Sequence, residues 1–380
     1  MSSANLYDWL RLSLSPGIGP DATHRLLARF GSPEAIFGQP ASVLQQVVSL
    51  SQAHALCAEP PSLRAQLYLT EHWLNHAQDN ASRAVWPLSH PSYPSALRDL
   101  SDPPVLLYVQ GQLEQPLGNA ISMVGSRNPT PQGAHTAALF AQALGTAGLT
   151  VISGMALGID GAAHRGALQG RAVPGRTDHW ATVAVVGTGL DRVYPRQHQA
   201  LASEISQHGL VMSEYPLGTP PLAANFPKRN RLIAALGLGT LVVEAAMRSG
   251  SLITAQLALD LGREVLAVPG SIHAPQSHGC HALIKQGAKL VETAQDVLEE
   301  LALNASTQPL PWPVDQAVSS DSQLPQGCDK VLLALGYGPV PLDVLHSRSG
   351  LDTAALQAAL LTLELAGRIA RMPGSLFQRL

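Results

Sequence analysis

Between residues 120 and 301, short apolar segments alternate with helical segments, and this alternation constrains the fold more than any other feature. The apolar segments show no polar alternation, so we expect both faces of each to be buried. Segments with helical spacing of apolar residues, such as 133–144 and 251–261, separate several of them. This arrangement predicts an α/β fold, in which helices cover both sides of a parallel sheet. The predicted strands are 121–124, 150–153, 183–186, 210–213, 241–243 and 265–268.

The region before residue 120 has a different pattern. Residues 1–80 carry apolar residues at helical spacing, and a tight turn at 16–20 (PGIGP) between the first two helices matches a helix-hairpin-helix. The backbone N–H groups of such a turn can hold a DNA phosphate, but short turns of this kind also join helices without that role. Residues 84–118 are rich in proline and predict an extended connector with a short strand near 105–109.

The region after residue 301 predicts a linker and a small domain. Residues 302–327 are rich in serine and proline and lack periodicity, which is typical of a linker. Residues 328–380 predict three helices followed by a β-hairpin around Pro373 and Gly374. This is the pattern of a winged helix.

Composition limits the classes of function. The formal net charge is −3 and 13% of the residues are charged, so binding to nucleic acid requires a local basic site. The three cysteines are far apart and form no pattern of a zinc site or a disulfide framework. The N-terminus lacks a signal-peptide pattern, and no segment is apolar enough to span a bilayer. We therefore expect a cytoplasmic protein without a metal site or a membrane partner.

The loops that follow the predicted strands have the composition of a phosphate site. Ligands of parallel α/β sheets bind at the carboxyl ends of the strands, where helix N-termini offer free N–H groups. Glycines there let the backbone approach an anion, hydroxyl groups donate hydrogen bonds and basic side chains supply charge. Pro227 is expected to begin a helix that places Lys228 and Arg231 on one face. The predicted site contains Gly125, Ser126, Arg127, Gly154, Lys228, Arg229, Arg231, Ser249, Gly250 and Ser251.

Three other motifs give weaker evidence for a cofactor site or a metal site. The segment 187–189 (GTG) begins like a dinucleotide fingerprint, but Arg192 stands at the third glycine position, and no Walker A motif is present, so we expect no cofactor. Asp160 and His164 are spaced i, i+4 without a third metal ligand, which favours a hydrogen-bonded structural pair or a polar wall of the site. The histidine-rich segment 273–281 does not have the spacing of a metal site and is interpreted as a loop.

A series of segments resembles the motifs of the DprA/Smf (DNA-processing protein A) family and keeps their order. The resemblance spans about residues 84–300, and its motifs are specific. The segments are 122–127 (SMVGSR), 153–164 (SGMALGIDGAAH), 187–195 (GTGLDRVYP), 225–231 (NFPKRNR), 243–245 (VEA), 249–255 (SGSLITA) and 267–270 (AVPG).

The resemblance implies a Rossmann-like core at 84–301, a SAM-like or helix-hairpin-helix domain at 1–80, a linker at 302–327 and a winged helix at 328–380. It implies a homodimer that binds single-stranded DNA, protects incoming strands during natural transformation and loads the RecA recombinase, rather than an enzyme. It adds Asn230 to the predicted DNA site, and His164 is included there as a polar wall of the pocket. Binding is expected to tolerate any base sequence and to weaken with salt.

One segment departs from the family. Residues 169–181 lengthen a connection that is shorter in many relatives, and they add Arg171 and Arg176. We expect a surface insertion here, with a second DNA contact as the alternative.

Two other functions compete with DNA binding by the core. The segment 236–244 (LGLGTLVVE) is similar to the GGxGTxxE motif of nucleoside-monophosphate phosphoribohydrolases, in which the glutamate helps to break a glycosidic bond. Here the glycine pair is interrupted and Glu244 lies one residue further from Thr240, which weakens an enzymatic interpretation. A transcription factor acting through the winged helix is the second alternative, although that domain has few basic residues.

Overall fold

The computed structural model describes residues 3–76, 81–171, 179–303, 327–336 and 338–380. Most of the predicted linker at 302–327 and the middle of the predicted insertion at 169–181 lie outside these residues. The structure therefore tests neither of those two expectations.

Six helices lie in the described part of the N-terminal region, residues 3–76, where the apolar spacing predicts helices. Ser49 and Ser32 begin two of them, each accepting a hydrogen bond from a backbone N–H of the first turn. The turn at 16–20 joins the first two helices, and Gly17 has a φ of 74° there. The helices are α1 (Ser3–Leu14), α2 (Pro20–Phe30), α3 (Pro33–Phe37), α4 (Ala41–Leu44), α5 (Leu50–Cys57) and α6 (Leu63–Asn75).

A nine-stranded sheet follows. In chain order its strands are β1 (Ser82–Pro87), β2 (Leu106–Gly111), β3 (Ala120–Gly125), β4 (Thr150–Ser153), β5 (Thr182–Val185), β6 (Leu210–Ser213), β7 (Gly239–Val243), β8 (Glu264–Ala267) and β9 (Lys289–Leu290). Their spatial order is β1-β2-β6-β5-β4-β3-β7-β8-β9. All pairs from β6 to β9 are parallel, which confirms the predicted α/β class with a mostly parallel sheet.

One edge of the sheet differs from the prediction, because β1 was not expected, whereas β2 lies at the short strand predicted near 105–109. The expected extended connector instead contributes β1, which pairs antiparallel with β2, and β2 pairs antiparallel with β6. Pro87 is tolerated because it ends a strand at the sheet edge, where its missing N–H breaks no interior ladder. Val85 and Tyr108 of these strands pack against the N-terminal helices, so the helices cover this part of the sheet.

Helices cover both faces of the sheet because successive strand residues point to opposite sides. Val183 and Val185 belong to an apolar cluster on one face of the sheet, whereas Ala184 belongs to a second cluster on the other face. The helices of this region are α7 (Ser95–Arg98), α8 (Pro131–Thr146), α9 (Ile159–Arg171), α10 (Gln199–His208), α11 (Asn225–Leu236), α12 (Gly250–Asp260), α13 (His278–Lys285) and α14 (Ala294–Glu300).

The C-terminal region contains the predicted three helices and hairpin, and a third short strand joins the hairpin. Leu345, Leu363 and Phe377 are buried in its own apolar core. Its elements are α15 (Cys328–Leu335), β10 (Val340–Pro341), α16 (Leu342–Ser349), α17 (Thr353–Leu365), β11 (Ile369–Met372) and β12 (Leu376–Arg379). None of the helices that the structure describes along the chain has the length and apolar character needed to cross a membrane.

Candidate functional site

The order of the strands places a crevice between β3 and β7. From β3 the chain adds β4, β5 and β6 on one side, and it then returns to add β7, β8 and β9 on the other. In open α/β sheets, ligands bind at the carboxyl ends of the strands where the order reverses in this way. The two loops at this point are tied together, because the N–H of Ser126 donates to the carbonyl of Glu244 at 2.7 Å.

A cavity of about 480 Å³ opens at this crevice, and we call it the switch-point cavity. Its walls come from the end of β3 and from the first turns of α9, α11 and α12. Helix N-termini present unpaired N–H groups and the positive end of the helix dipole, which together favour an anion. The predicted site residues that line it are Gly125, Ser126, Arg127, Arg229, Asn230, Ser249, Gly250 and Ser251.

The start of α12 provides hydroxyl and N–H donors. Ser249 is the N-cap residue and its Oγ accepts from the N–H of Ser251 at 3.3 Å. The Oγ atoms of Ser249 and Ser251 are 2.6 Å apart. Gly250 has no atom within 4 Å of the place that a Cβ would occupy, so the backbone is open to a ligand here. This segment has the donor chemistry that the sequence predicts for it.

Two exposed arginines line the cavity in the described part of the chain. Arg127 follows β3, and its guanidinium carbon lies 5.5 Å from the centre of the Phe226 ring. Arg248 follows β7 and directly precedes the N-cap of α12. Phe226 also packs against Tyr194, with 5.6 Å between the ring centres. The sequence analysis missed Arg248 and Phe226, because single residues carry no periodic pattern; their position directly beside predicted site segments was the available signal.

Arg229 is a structural residue rather than an exposed cation, which corrects its predicted role. Its side chain is 3% exposed, and Nη1 donates to the carbonyls of Gly154, at 2.7 Å, and Val185. Burial lowers the pKa of Arg229 to about 10, so the side chain stays charged at neutral pH. A Cβ at Gly154 would lie 2.3 Å from this Nη1. Gly154 therefore contributes by making room for the guanidinium.

Asp160 supplies the charge that faces Arg229 from the first turn of α9. Burial raises the pKa of its carboxyl group, while Arg229 and the two backbone donors oppose that rise. The donors are the N–H groups of Gly154, at 3.2 Å, and Ala156, at 3.3 Å. Asp160 lines the switch-point cavity, as a polar wall would, and these bonds fix the loop after β4.

Lys228 and Arg231 do not line the cavity. Helix α11 begins at Asn225 rather than at Pro227, and Lys228 is exposed on it. Arg231 is paired with two carboxylates instead, with Nε 3.0 Å from Asp102 and Nη2 against Glu214. Burial raises the pKa of Glu214, and Arg231 opposes this shift. Arg231 therefore fixes α11 to the body of the core and is not available to a phosphate.

His164 also lies away from the cavity, and its predicted DNA contact is not compatible with this position. The residue is fully buried, and Nδ1 lies 2.7 Å from Oγ1 of Thr182, with no hydrogen bond to Asp160. Burial lowers the pKa of His164 to about 3, so the imidazole is neutral at physiological pH. Asp160 and His164 are therefore two separate polar groups, and they do not form the hydrogen-bonded pair that their i, i+4 spacing favours.

No group of three or more potential metal ligands is found among the described residues. His278, Cys280 and His281 lie in α13 rather than in the predicted loop, and Cys280 is buried.

Comparisons with known proteins agree on one family. The family model described as DNA recombination-mediator protein A matches residues 84–302, and the model described as DprA winged helix domain matches 315–375. Protein Smf of Escherichia coli K12 is 40% identical over 372 residues, covering 96% of this chain and 94% of that protein. DNA processing protein DprA of Streptococcus pneumoniae R6 is 47% identical over 208 residues, covering 55% of this chain and 71% of that protein.

Solved structures give the same result. An X-ray structure of DprA from Streptococcus pneumoniae superimposes with a TM-score of 0.60 at 35% identity, covering 79% of this chain and 98% of the other. A structure of DNA processing protein A from Helicobacter pylori, whose title describes a unique single-stranded DNA binding mode, gives a TM-score of 0.50 at 28% identity. It covers 59% of this chain and 97% of the other.

Proposed function

The chain belongs to the DprA/Smf family of DNA recombination-mediator proteins, and from that premise we propose that it binds single-stranded DNA in the switch-point cavity. One observation carries the proposal. Two exposed arginines and the N-termini of three helices converge on one cavity at the topological switch point. This combination fits the phosphates of a nucleic acid backbone.

Each part of the cavity has a role in the proposed complex. Arg127 and Arg248 hold phosphate oxygens, and the N–H and hydroxyl groups at the start of α12 donate to the same backbone. Phe226 offers a ring face to one base, which favours an unstacked strand over a duplex. Phosphate contacts and stacking do not distinguish base sequences, so binding is sequence-tolerant.

Fluorescence anisotropy of a labelled oligo-dT strand over a series of salt concentrations tests the proposal. Arg127→Ala and Arg248→Ala are each expected to weaken binding about tenfold, and to reduce the salt slope by about 0.7 because one phosphate contact is lost. Lys285→Ala is the matched control, since Lys285 is an exposed cation in the last turn of α13, outside the cavity. Absence of salt-sensitive binding by the wild type would refute the proposal.

The proposed cellular role is that of a cytoplasmic recombination mediator, which protects incoming strands and loads RecA during natural transformation. The description of the family model, DNA recombination-mediator protein A, supports the role of a recombination mediator. RecA-dependent ATP hydrolysis on strands coated with single-strand-binding protein is expected to begin sooner when this protein is present. An unchanged lag would contradict RecA loading.

We propose a homodimer for the same protein. Large apolar side chains that are more than a third exposed occur in 259–290, outside the switch-point cavity, namely Leu259, Leu261, Ile272 and Leu290. We propose that they form one apolar patch that a second copy covers, because contiguous exposed apolar patches mark interfaces. Sedimentation at micromolar concentration that gives the mass of one chain would exclude the dimer.

The flanking regions are proposed as auxiliary parts, with a phosphate contact at the 16–20 turn and a nucleic acid or protein partner for the winged helix. An enzymatic role receives less support. The carboxylate of Glu244 does not line the switch-point cavity, and it accepts two hydrogen bonds from Thr130. We therefore propose that the chain is not a phosphoribohydrolase. Release of free base from nucleoside monophosphates would reverse this conclusion.

A further inference from the structure

A second cavity of about 450 Å³ lies between the core and the winged helix, and we call it the Glu244 cavity. The start of α8, the end of β7 and the loop after β8 form its core side. Gly338, Pro339 and Gln378 form the winged-helix side. The two sides are joined by a hydrogen bond of 2.9 Å from Nε2 of Gln378 to Oε1 of Gln132.

Glu244 has an unfavourable backbone conformation at this cavity. Its φ is 52°, in the left-handed region that non-glycine residues rarely adopt, and such residues cluster at functional sites. Its carboxylate accepts from the N–H of Thr130 at 2.9 Å and from Oγ1 of Thr130 at 2.5 Å. Gly133 leaves room for it, because a Cβ there would lie 2.2 Å from Cδ of Glu244. Each carboxylate oxygen retains a lone pair for a further donor.

Gln378 supplies a second polar group without a complete set of partners. It is 4% exposed and lines the cavity, yet its Oε1 is buried without a hydrogen bond. If the amide is turned by 180°, an N–H₂ group occupies the same place, so one unpaired polar atom remains in either orientation. A buried polar atom without a partner costs about 1–3 kcal/mol. In the turned orientation this place holds an N–H₂ group, so a ligand oxygen that accepts from it would be bound with a gain in free energy.

The lining defines the class of ligand. No Lys, Arg or His lines the Glu244 cavity in the described residues, so it does not suit a phosphate. Val243, Val268, Pro269 and Pro339 give apolar walls for a flat ring. A carboxylate pairs with two adjacent N–H donors, and an amide pairs with a neighbouring carbonyl. The edge of guanine carries these groups side by side, as the ring N–H, the amino group and O6.

We propose that the Glu244 cavity binds a guanine base, with Glu244 accepting from its ring N–H and amino groups. The amides of Gln378 and Gln132 are both turned in this complex, so that the N–H₂ group of Gln378 donates to O6 and its Oε1 accepts from Gln132. The base belongs either to a DNA strand or to a free guanine nucleotide. The carbonyl of Glu244 accepts from Ser126 of the switch-point cavity at 2.7 Å, so the two cavities are neighbours. The proposal goes beyond DNA binding in the switch-point cavity and does not depend on it.

Calorimetric titration of the full chain with deoxyguanosine tests the proposal, because this nucleoside has no phosphate for the switch-point cavity. Deoxyinosine lacks the amino group and is expected to bind about tenfold more weakly, as one bond to a charged acceptor is lost. Thymidine is expected to give no heat of binding. Absence of deoxyguanosine binding, or equal binding of thymidine, would overturn the proposal.

Two variants locate the binding. Gln378→Leu removes the amide, and Ser271→Trp fills the cavity from an exposed position on its rim. Both are expected to lose deoxyguanosine binding and to keep oligo-dT binding. Circular dichroism shows whether Gln378→Leu folds. If it does not fold, Ser271→Trp alone tests the site, and unchanged deoxyguanosine binding by Ser271→Trp overturns the proposal.

A strand comparison identifies the source of the base. A gain in affinity when one guanine replaces a thymine in oligo-dT assigns the site to DNA, whereas an unchanged affinity assigns it to free guanine nucleotides. Loss of all oligo-dT binding would refute the proposed function and leave the deoxyguanosine result to stand by itself.

Discussion

Arg229→Met removes a buried guanidinium while keeping most of the volume of its side chain. The change leaves the carbonyls of Gly154 and Val185 without this donor, and it leaves the buried carboxyl group of Asp160 without its facing cation. Removing one partner of a buried charge pair typically costs about 3–5 kcal/mol. We expect a loss of that size in the free energy of unfolding.

Urea denaturation followed by circular dichroism and tryptophan fluorescence measures this loss. With a slope of about 3 kcal/mol per molar urea, the midpoint is expected to fall by about 1–1.7 M. Arg127→Met is the matched control, because Arg127 is exposed and the same substitution there is expected to change stability by less than about 0.5 kcal/mol.

A double variant tests the cause. Adding Asp160→Asn to Arg229→Met removes the uncompensated charge, so the double variant is expected to recover about 1–3 kcal/mol relative to the sum of the single variants. The reasoning is refuted if Arg229→Met is as stable as Arg127→Met and both lose DNA affinity equally. That result would mean that the guanidinium of Arg229 leaves the core and contacts phosphate.

Two further predictions concern the Phe226 ring of the switch-point cavity and the buried His164. Phe226→Leu is expected to weaken oligo-dT binding by about 1–3 kcal/mol without changing the salt slope, since stacking carries no charge; a reduced slope would contradict a stacking role. Burial lowers the pKa of His164 from 6.5 to about 3 in the folded chain. Between these pH values the unfolded chain binds a proton at His164 that the folded chain does not bind. The stability that comes from neutral His164 is therefore complete only above pH 6.5. The free energy of unfolding is expected to fall by about 1.4 kcal/mol per pH unit between pH 6.5 and pH 3. His164→Leu is expected to reduce this slope, which urea titrations at successive pH values measure.

The sequence was sufficient to predict the central strands because their residues are apolar on both faces. The ends of the predicted strands differ from β3 to β8 by no more than two residues. It was insufficient for β1 and β9. Strand β1 contains Arg83 and ends at Pro87, and β9 has two exposed residues, so neither has the pattern of a buried strand. Both lie at sheet edges, where pairing with the neighbouring strand rather than composition decides the structure.

The loops of the site were predictable, whereas the roles of the cations were not. Glycine and serine at strand ends indicate a site through local chemistry, and Ser249 to Ser251 lie where this predicts. Whether each arginine is paired with a carboxylate or exposed depends on carboxylates that are distant in sequence. Arg231 meets Asp102 and Glu214, and Arg229 faces Asp160. A basic cluster that looks uniform in the sequence is therefore divided by the fold into structural and exposed members.

This division reconciles the proposed DNA binding with a net charge of −3, and it sets a requirement on the proposed complex. Arg127 and Arg248 are the exposed cations that line the switch-point cavity in the described residues, so one chain neutralises about two phosphates there. The corresponding salt slope for a single strand is about 1.4, which is small for a tight DNA-binding protein. A dimer doubles the contacts, and its second cavity binds the same strand at a high effective concentration. The proposed dimer and the proposed DNA binding are thus linked, since tight binding by this site requires more than one copy on each strand.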